Sequence, residues 1–176
     1  MRAGLAVALV TLTCTASVAE ARPVSPRSGG FEVGASGFVT EQGTEVVAGP
    51  QLHLAVRLPA GESFLLGFMG RLGASVGRQT GSVSLIALDA RLMLGDLDLA
   101  PYASLGLGVL FRSVRDEVDL TDLAQRPDAA LPVGLGIETR LTDTLMLGFA
   151  ARYTAILSDL DRTTGPIDVA AYLVFL

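Results

Sequence analysis

The 176-residue chain contains one cysteine, one histidine, no tryptophan and no lysine. Each shortage closes off a class of protein. The single cysteine, Cys14, sits in an apolar N-terminal stretch that reads as a discarded leader, so the mature chain is expected to hold no disulfide and no cysteine-ligated metal. Lipid attachment at Cys14 would want a small residue before it, and Thr13 is a poor fit. All thirteen basic residues are arginine, none forms a patch, and the net charge is −5, which argues against nucleic acid as a partner. No run of roughly 18 apolar residues exists, so no membrane-spanning helix is expected. Yet half of the residues are hydrophobic and the mean hydropathy is +0.51, high for a domain that meets water on all sides. The length leaves room for one domain.

The first 19 residues read as a secretory signal. Arg2 supplies the positive start, Ala3 to Leu12 the short apolar core, and Ser17-Val18-Ala19 a small-residue cleavage site, with Ala19-Glu20-Ala21 as an alternative that would place the cut after residue 21. Residues 20–30 (EARPVSPRSGG) carry two prolines and two glycines without any period and read as a flexible lead-in.

From residue 31 to 176 the pattern is of another kind. Eight stretches alternate bulky apolar residues with small or charged ones, at about 31–40, 45–58, 63–77, 82–94, 97–112, 129–141, 144–157 and 166–176. A period of two is the signature of strands whose faces meet different surroundings. Pro59-Ala60-Gly61-Glu62, Gly95-Asp96 and Thr142-Asp143 read as tight turns, whereas 113–128 and 158–165 read as longer charged links. Short turns at one end and longer loops at the other is the asymmetry of an outer-membrane barrel. The link at 41–44 is short for an outer loop.

One phase of every stretch is apolar throughout: Leu97, Leu99, Pro101, Leu105, Leu107, Val109 and Phe111 in the fifth, for example. The other phase holds Glu32, Arg57, Arg71, Asp89, Arg91, Asp98, Arg112, Glu138, Arg140, Arg152 and Asp168. Glycine gives a further test, because Gly34, Gly49, Gly67, Gly73, Gly77, Gly106, Gly108, Gly134, Gly136 and Gly148 share the charged phase, against Gly37 and Gly70 on the apolar one. Small residues with a few lone charges make a poor solvated surface but suit the inside of a narrow barrel, where eight strands leave just enough room for side chains. The apolar phase must then face hydrocarbon, which only a closed sheet permits. The expected fold is all-β: an eight-stranded antiparallel up-and-down transmembrane β-barrel in the bacterial outer membrane, preceded by a cleavable signal peptide.

Counting residues up from the short turns places Gln51, Arg71 and Arg152 about eight up, His53 and Asp89 about six, and Arg91 and Glu138 about four. An internal network of Arg71, Asp89, Arg91, Glu138, Arg140, Arg152 and His53 is therefore expected to plug the lumen, with its charges paired because an isolated buried ion costs several kcal/mol. Phe38, Leu65, Leu85 and Leu110 fall on the same inward phase, so the lumen is expected to be partly greasy. Such a filled interior does not suit an open porin.

Pro101-Tyr102-Ala103-Ser104-Leu105-Gly106-Leu107-Gly108-Val109 resembles the fifth strand of small outer-membrane barrels of the OmpA and OmpX type. Gly148-Phe149-Ala150-Ala151-Arg152-Tyr153 resembles their seventh. The closing Tyr172-Leu173-Val174-Phe175-Leu176 is similar to the assembly signal of those proteins, carried here by Tyr172, Phe175 and Leu176. The resemblance implies insertion by the outer-membrane assembly machinery and a setting of outer-membrane lipid and lipopolysaccharide. Two features depart from it: a leucine follows Phe175, and the chain stops at the barrel, without the peptidoglycan-binding domain of full OmpA proteins.

The candidate chemistry is thin. His53, Asp89 and a serine such as Ser36, Ser75 or Ser104 could be drawn as a triad, which would make a lipid A-modifying enzyme, but no serine adjoins the histidine and nothing marks a nucleophile. Asp116, Glu117, Asp119 and Asp122 of the third outer loop are the first candidates for contact with a surface partner; their spacing matches no EF-hand loop. Gly-x-Gly at 106–108 and 134–136 has no strand-to-helix context and does not mark a nucleotide site. No cofactor, metal site or catalysis is expected. The leading expectation is a structural or surface-interaction role. The alternative is a secreted, lipocalin-like soluble barrel with its apolar phase inside, holding a lipophile.

Overall fold

A computed structural model describes residues 29–42, 45–75, 80–94, 99–115, 126–159 and 165–176. The expected signal sequence and most of the expected lead-in lie outside the described residues, as do Gly95-Asp96 and the acidic stretch 116–125.

Eight strands follow one another: β1 Gly30–Gln42, β2 Glu45–Pro59, β3 Phe64–Ala74, β4 Thr80–Met93, β5 Leu99–Arg115, β6 Arg126–Arg140, β7 Leu145–Ile156 and β8 Ile167–Phe175. A single 3₁₀ turn, Leu157–Asp159, follows β7. Each strand pairs antiparallel with its sequence neighbour, and β1 pairs with β8 from Phe31↔Phe175 to Val39↔Ile167, closing the barrel. The turn after β2 is fastened by the Ala60 N–H to the Phe64 carbonyl at 2.8 Å, and the one after β6 by the Leu141 N–H to the Leu145 carbonyl at 2.9 Å. Closure leaves the sheet without a free edge, as strands in hydrocarbon require.

The expected closed, eight-stranded antiparallel barrel is borne out. The boundaries differ most at the loop ends of β5 and β6, where Arg115, Arg126 and Asp128 lie in strands rather than in the loop. Arg112 holds Asp128 at 2.7 Å across these two strands, which supports pairing beyond the apolar run.

The two phases separate as the alternation requires. Leu88, Leu107, Leu135 and Phe68 point outward and are 67%, 59%, 65% and 53% exposed. Phe38, Leu65, Leu85 and Leu110 point inward and are buried. Glycine marks the same division independently. A methyl group added at Gly37 or Gly70 would meet nothing within 4 Å, whereas one at Gly134, Gly136 or Gly148 would run into inward side chains. Exposed leucine and phenylalanine around a polar interior is the reverse of a soluble lipocalin-like barrel, and that alternative is set aside.

Candidate functional site: the charged interior

Among the described residues, four carboxylates and four guanidiniums point into the barrel and are buried: Glu32, Asp89, Glu138 and Asp168 against Arg57, Arg71, Arg91 and Arg152. The count balances without a charge on His53.

Several of the pairs cross the lumen, and others follow the wall between neighbouring residues. Arg57 on β2 reaches Glu138 on β6, with Nη1 at 2.6 Å from Oε1 and 2.9 Å from Oε2. Arg91 on β4 is shared among three acids: Glu32 on β1 at 2.7 Å, Asp89 on its own strand at 2.9 Å and Glu138 at 3.2 Å. Arg71 on β3 bonds Asp168 on β8, which also has Arg152 at 3.9 Å. His53 Nε2 lies 3.0 Å from Glu32 Oε2. Charge-assisted bonds of this kind offset the desolvation of the ions, since an unpartnered ion here would cost several kcal/mol.

Two tyrosines complete the network. Tyr102 on β5 faces Gly136 on β6, and Tyr172 on β8 faces Gly148 on β7. Each ring lies over its glycine, in space that a side chain would occupy. The two hydroxyls meet at 2.7 Å above β6 and β7, and Tyr172 donates to Glu138 Oε1 at 2.9 Å. The Arg91 guanidinium stacks 4.9 Å from the Tyr102 ring centroid and 5.7 Å from that of Tyr172. Arg91 thus touches acids and π faces together, a combination that suits a planar, weakly hydrated cation.

Apolar side chains cap this layer on both sides. Phe38, Val83, Leu85, Leu110 and Ile156 cluster toward the loop end. Leu65, Met93, Met146 and Val174 cluster toward the turn end. A small pocket of about 10 Å³ in the β2–β4 wall, reaching Glu32, Arg57, Asp89 and Arg91, has room for about one water centre.

Of the residues assigned to the network from sequence, Arg71, Asp89, Arg91, Glu138, Arg152 and His53 meet inside. Arg140 does not. It is exposed at the last position of β6, and its Nη2 bonds Asp143 of the adjoining turn at 2.8 Å. Arg140 has the inward phase but lies too near the rim, where solvent and a turn carboxylate hold it. Glu32, Arg57, Asp168 and Tyr102 belong to the site although the height count omitted them. Their signal was the phase of the first three, since arginine side chains reach well beyond their own level. Tyr172, read as part of an assembly signal, is an inward member of the network, whereas Phe175 and Leu176 are exposed at the turn end.

The drawn triad is not assembled. His53 faces Glu32, Asp89 bonds Arg91, Ser36 donates to Gln51 Oε1 at 3.1 Å, and Ser75 is bonded to the Gly81 backbone. Asp116, Glu117, Asp119 and Asp122 lie outside the described residues. At the base of their loop, Asp128 accepts from Arg112 on β5 and from Ser158 of the 3₁₀ turn at 2.9 Å.

No protein-family profile matches the sequence, and a search of curated proteins finds no match. Solved structures do match. Neisserial surface protein A (NspA) is similar at 13% identity over 84% of this chain and 96% of its own, with a TM-score of 0.70. Ail of Yersinia pestis, solved with the heparin analogue sucrose octasulfate, gives 10% identity, 84% and 96% coverage and a TM-score of 0.58. The N-terminal β-barrel domain of OprF from Pseudomonas aeruginosa gives 15%, 84% and 98% with a TM-score of 0.56. At such identities the likeness is one of fold: this chain has the fold of the small eight-stranded outer-membrane β-barrels.

Proposed function

We propose that this outer-membrane-type barrel is a sealed structural or surface-presenting element, with an interior that holds the wall together and passes no solute. The observation that carries this reading is the Arg57–Glu138 pair spanning the lumen, joined by Arg91 and Tyr172 and capped by apolar layers above and below. A channel would need a continuous wet path, and charges paired with one another leave little for passing ions to replace. On this reading the network residues are structural and no reaction is carried out inside.

Contact with the outside falls to the loop end, where Asp116, Glu117, Asp119 and Asp122 remain the candidates. The heparin analogue held by Ail is a polyanion, which this acidic stretch would repel. A basic surface is the better complement. Residues 1–19 act as the export signal, and the exposed Phe175 with Leu176 is the part of the chain's end available to the assembly machinery. Membrane lipid and lipopolysaccharide surround the outward leucines.

Single-channel recording of the refolded barrel in planar bilayers tests the sealed reading. No conductance steps are expected from the parent protein. Regular steps, abolished by a change at Phe38 or Leu110 and not by one on the outer wall, would overturn it. Recovery in the outer-membrane fraction, with electrophoretic mobility that changes on boiling, is expected in parallel.

A further inference from the structure

The β5–β6 ladder contains one interruption. Pairing is in register at Leu105↔Val133 and again at Gly108↔Ala130, but the two intervening pairs, Gly106 with Pro132 and Leu107 with Leu131, are missing. The β6–β7 ladder runs unbroken through Pro132↔Thr154. The N–H that proline lacks therefore falls on the β5 side. In an antiparallel ladder, closely bonded pairs exchange two hydrogen bonds and alternate with non-bonded ones. A proline in a bonded pair removes one donor and with it that pair and the one neighbouring pair that shares the lost bond, as seen here. The group left without its ladder donor is the Gly106 carbonyl. Glycine is required at that place: a methyl group on Gly106 would sit 2.8 Å from Pro132 Cγ and 2.7 Å from the Leu88 carbonyl oxygen.

Beside this gap, on the wall that faces hydrocarbon, lies a groove of about 390 Å³ lined across β3 to β6 by Leu66, Leu88, Ala90, Leu105, Leu107 and Leu131, with Gly67, Asp89 and Gly106 in its floor. A carbonyl without a donor is costly in such surroundings, where no bulk water can serve it. The groove is otherwise apolar, so the complementary ligand is a long apolar chain carrying a single hydrogen-bond donor part-way along it.

We infer that the β4–β6 face holds a hydroxylated acyl chain of a membrane lipid, its methylenes among the leucines and its hydroxyl donating to the Gly106 carbonyl. The inference rests on the membrane-facing reading of the outer wall. Pro132 makes the site by withholding a donor, and Ala90 and Gly106 keep it open.

The test uses the refolded barrel in detergent micelles with the Gly106 carbonyl carbon labelled, titrated with octadecanoate bearing a mid-chain hydroxyl and with plain octadecanoate. The hydroxylated probe is expected to move the Gly106 carbonyl resonance saturably and downfield, whereas the plain chain leaves it in place. Pro132→Ala restores the N–H, so its Gly106 resonance should start at the bonded position and ignore both probes. Equal responses to the two probes, or none in the parent protein, would overturn the site. The membrane reading is judged separately, by heat-modifiable mobility and by protection of the outward leucines from a water-borne paramagnetic reagent. Leucines accessible to that reagent would remove the premise, whereas protected leucines with a silent Gly106 would reject the hydroxyl contact alone.

Discussion

Removing Glu138 should be among the most damaging single changes inside the barrel. Its two oxygens accept from Arg57 at 2.6 and 2.9 Å, from Arg91 at 3.2 Å and from the Tyr172 hydroxyl at 2.9 Å. Glu138→Ala leaves three carboxylates for four guanidiniums in a region closed to bulk water. Deleting one partner of a buried ion pair costs about 3–5 kcal/mol. Arg91 keeps Glu32 and Asp89, so the loss falls chiefly on Arg57, whose other carboxylate contact is Glu32 at 3.5 Å. Pairing the change with Arg57→Met leaves three ions of each sign and replaces a guanidinium by a flexible apolar chain. Exchanging a buried pair for apolar groups of similar size is often neutral. The double variant should therefore recover most of the loss, with a coupling of about 2–3 kcal/mol for groups in direct contact. Urea unfolding from lipid vesicles, followed by tyrosine fluorescence and gel mobility, gives both numbers, and the absence of tryptophan leaves the tyrosine signal clear. If Glu138→Ala unfolds within about 1 kcal/mol of the parent, or the double variant is as unstable as the sum of the singles, the interior is hydrated and the pairing argument fails.

Three further outcomes follow from the same geometry. Gly148→Ala should cost about 1–3 kcal/mol because the methyl group meets the Tyr172 ring, whereas Gly70→Ala, which meets nothing, should be neutral or gain about 0.5–1 kcal/mol in the same titration. Leu105→Arg places a charge on the lipid face and should lose about 2–4 kcal/mol in vesicles; a loss under about 0.5 kcal/mol would argue that this face is wet. Asp128→Ala releases Arg112 and Ser158, and should speed amide exchange at 126–130 and 156–158 while leaving β1 to β4 unchanged.

Phase was legible in the sequence and depth was not. Leucine on one parity and glycine on the other defined the faces of β5 and β7 because a pleated strand leaves no third option. The same parity placed Glu32, Arg57 and Asp168 inside, yet counting residues from the turns left them out of the network. Level is shared between strands only after register is known, and tilted strands shift it from one to the next: Gly34 faces His53 on one side and Tyr172 on the other. The same limit explains Arg140, two residues beyond Glu138 and of the same parity, where a turn carboxylate rather than the lumen receives it.

The tyrosines show what single-strand reading misses. Tyr172 lies in a terminal run that reads as a recognition signal, and nothing within β8 marks it as structural. Its partner is the absence of a side chain at Gly148 on β7, just as Gly136 on β6 accommodates Tyr102. Residues that look like sequence filler on one strand are the space into which a neighbour's ring fits, and the two hydroxyls meet each other, with Tyr172 reaching Glu138, only because both glycines are bare. A glycine-rich phase and a sparse set of inward aromatics are thus one feature read on adjacent strands. The loss of the Pro132 donor opposite Gly106 belongs to the same class, since neither residue is informative until the ladder sets them face to face.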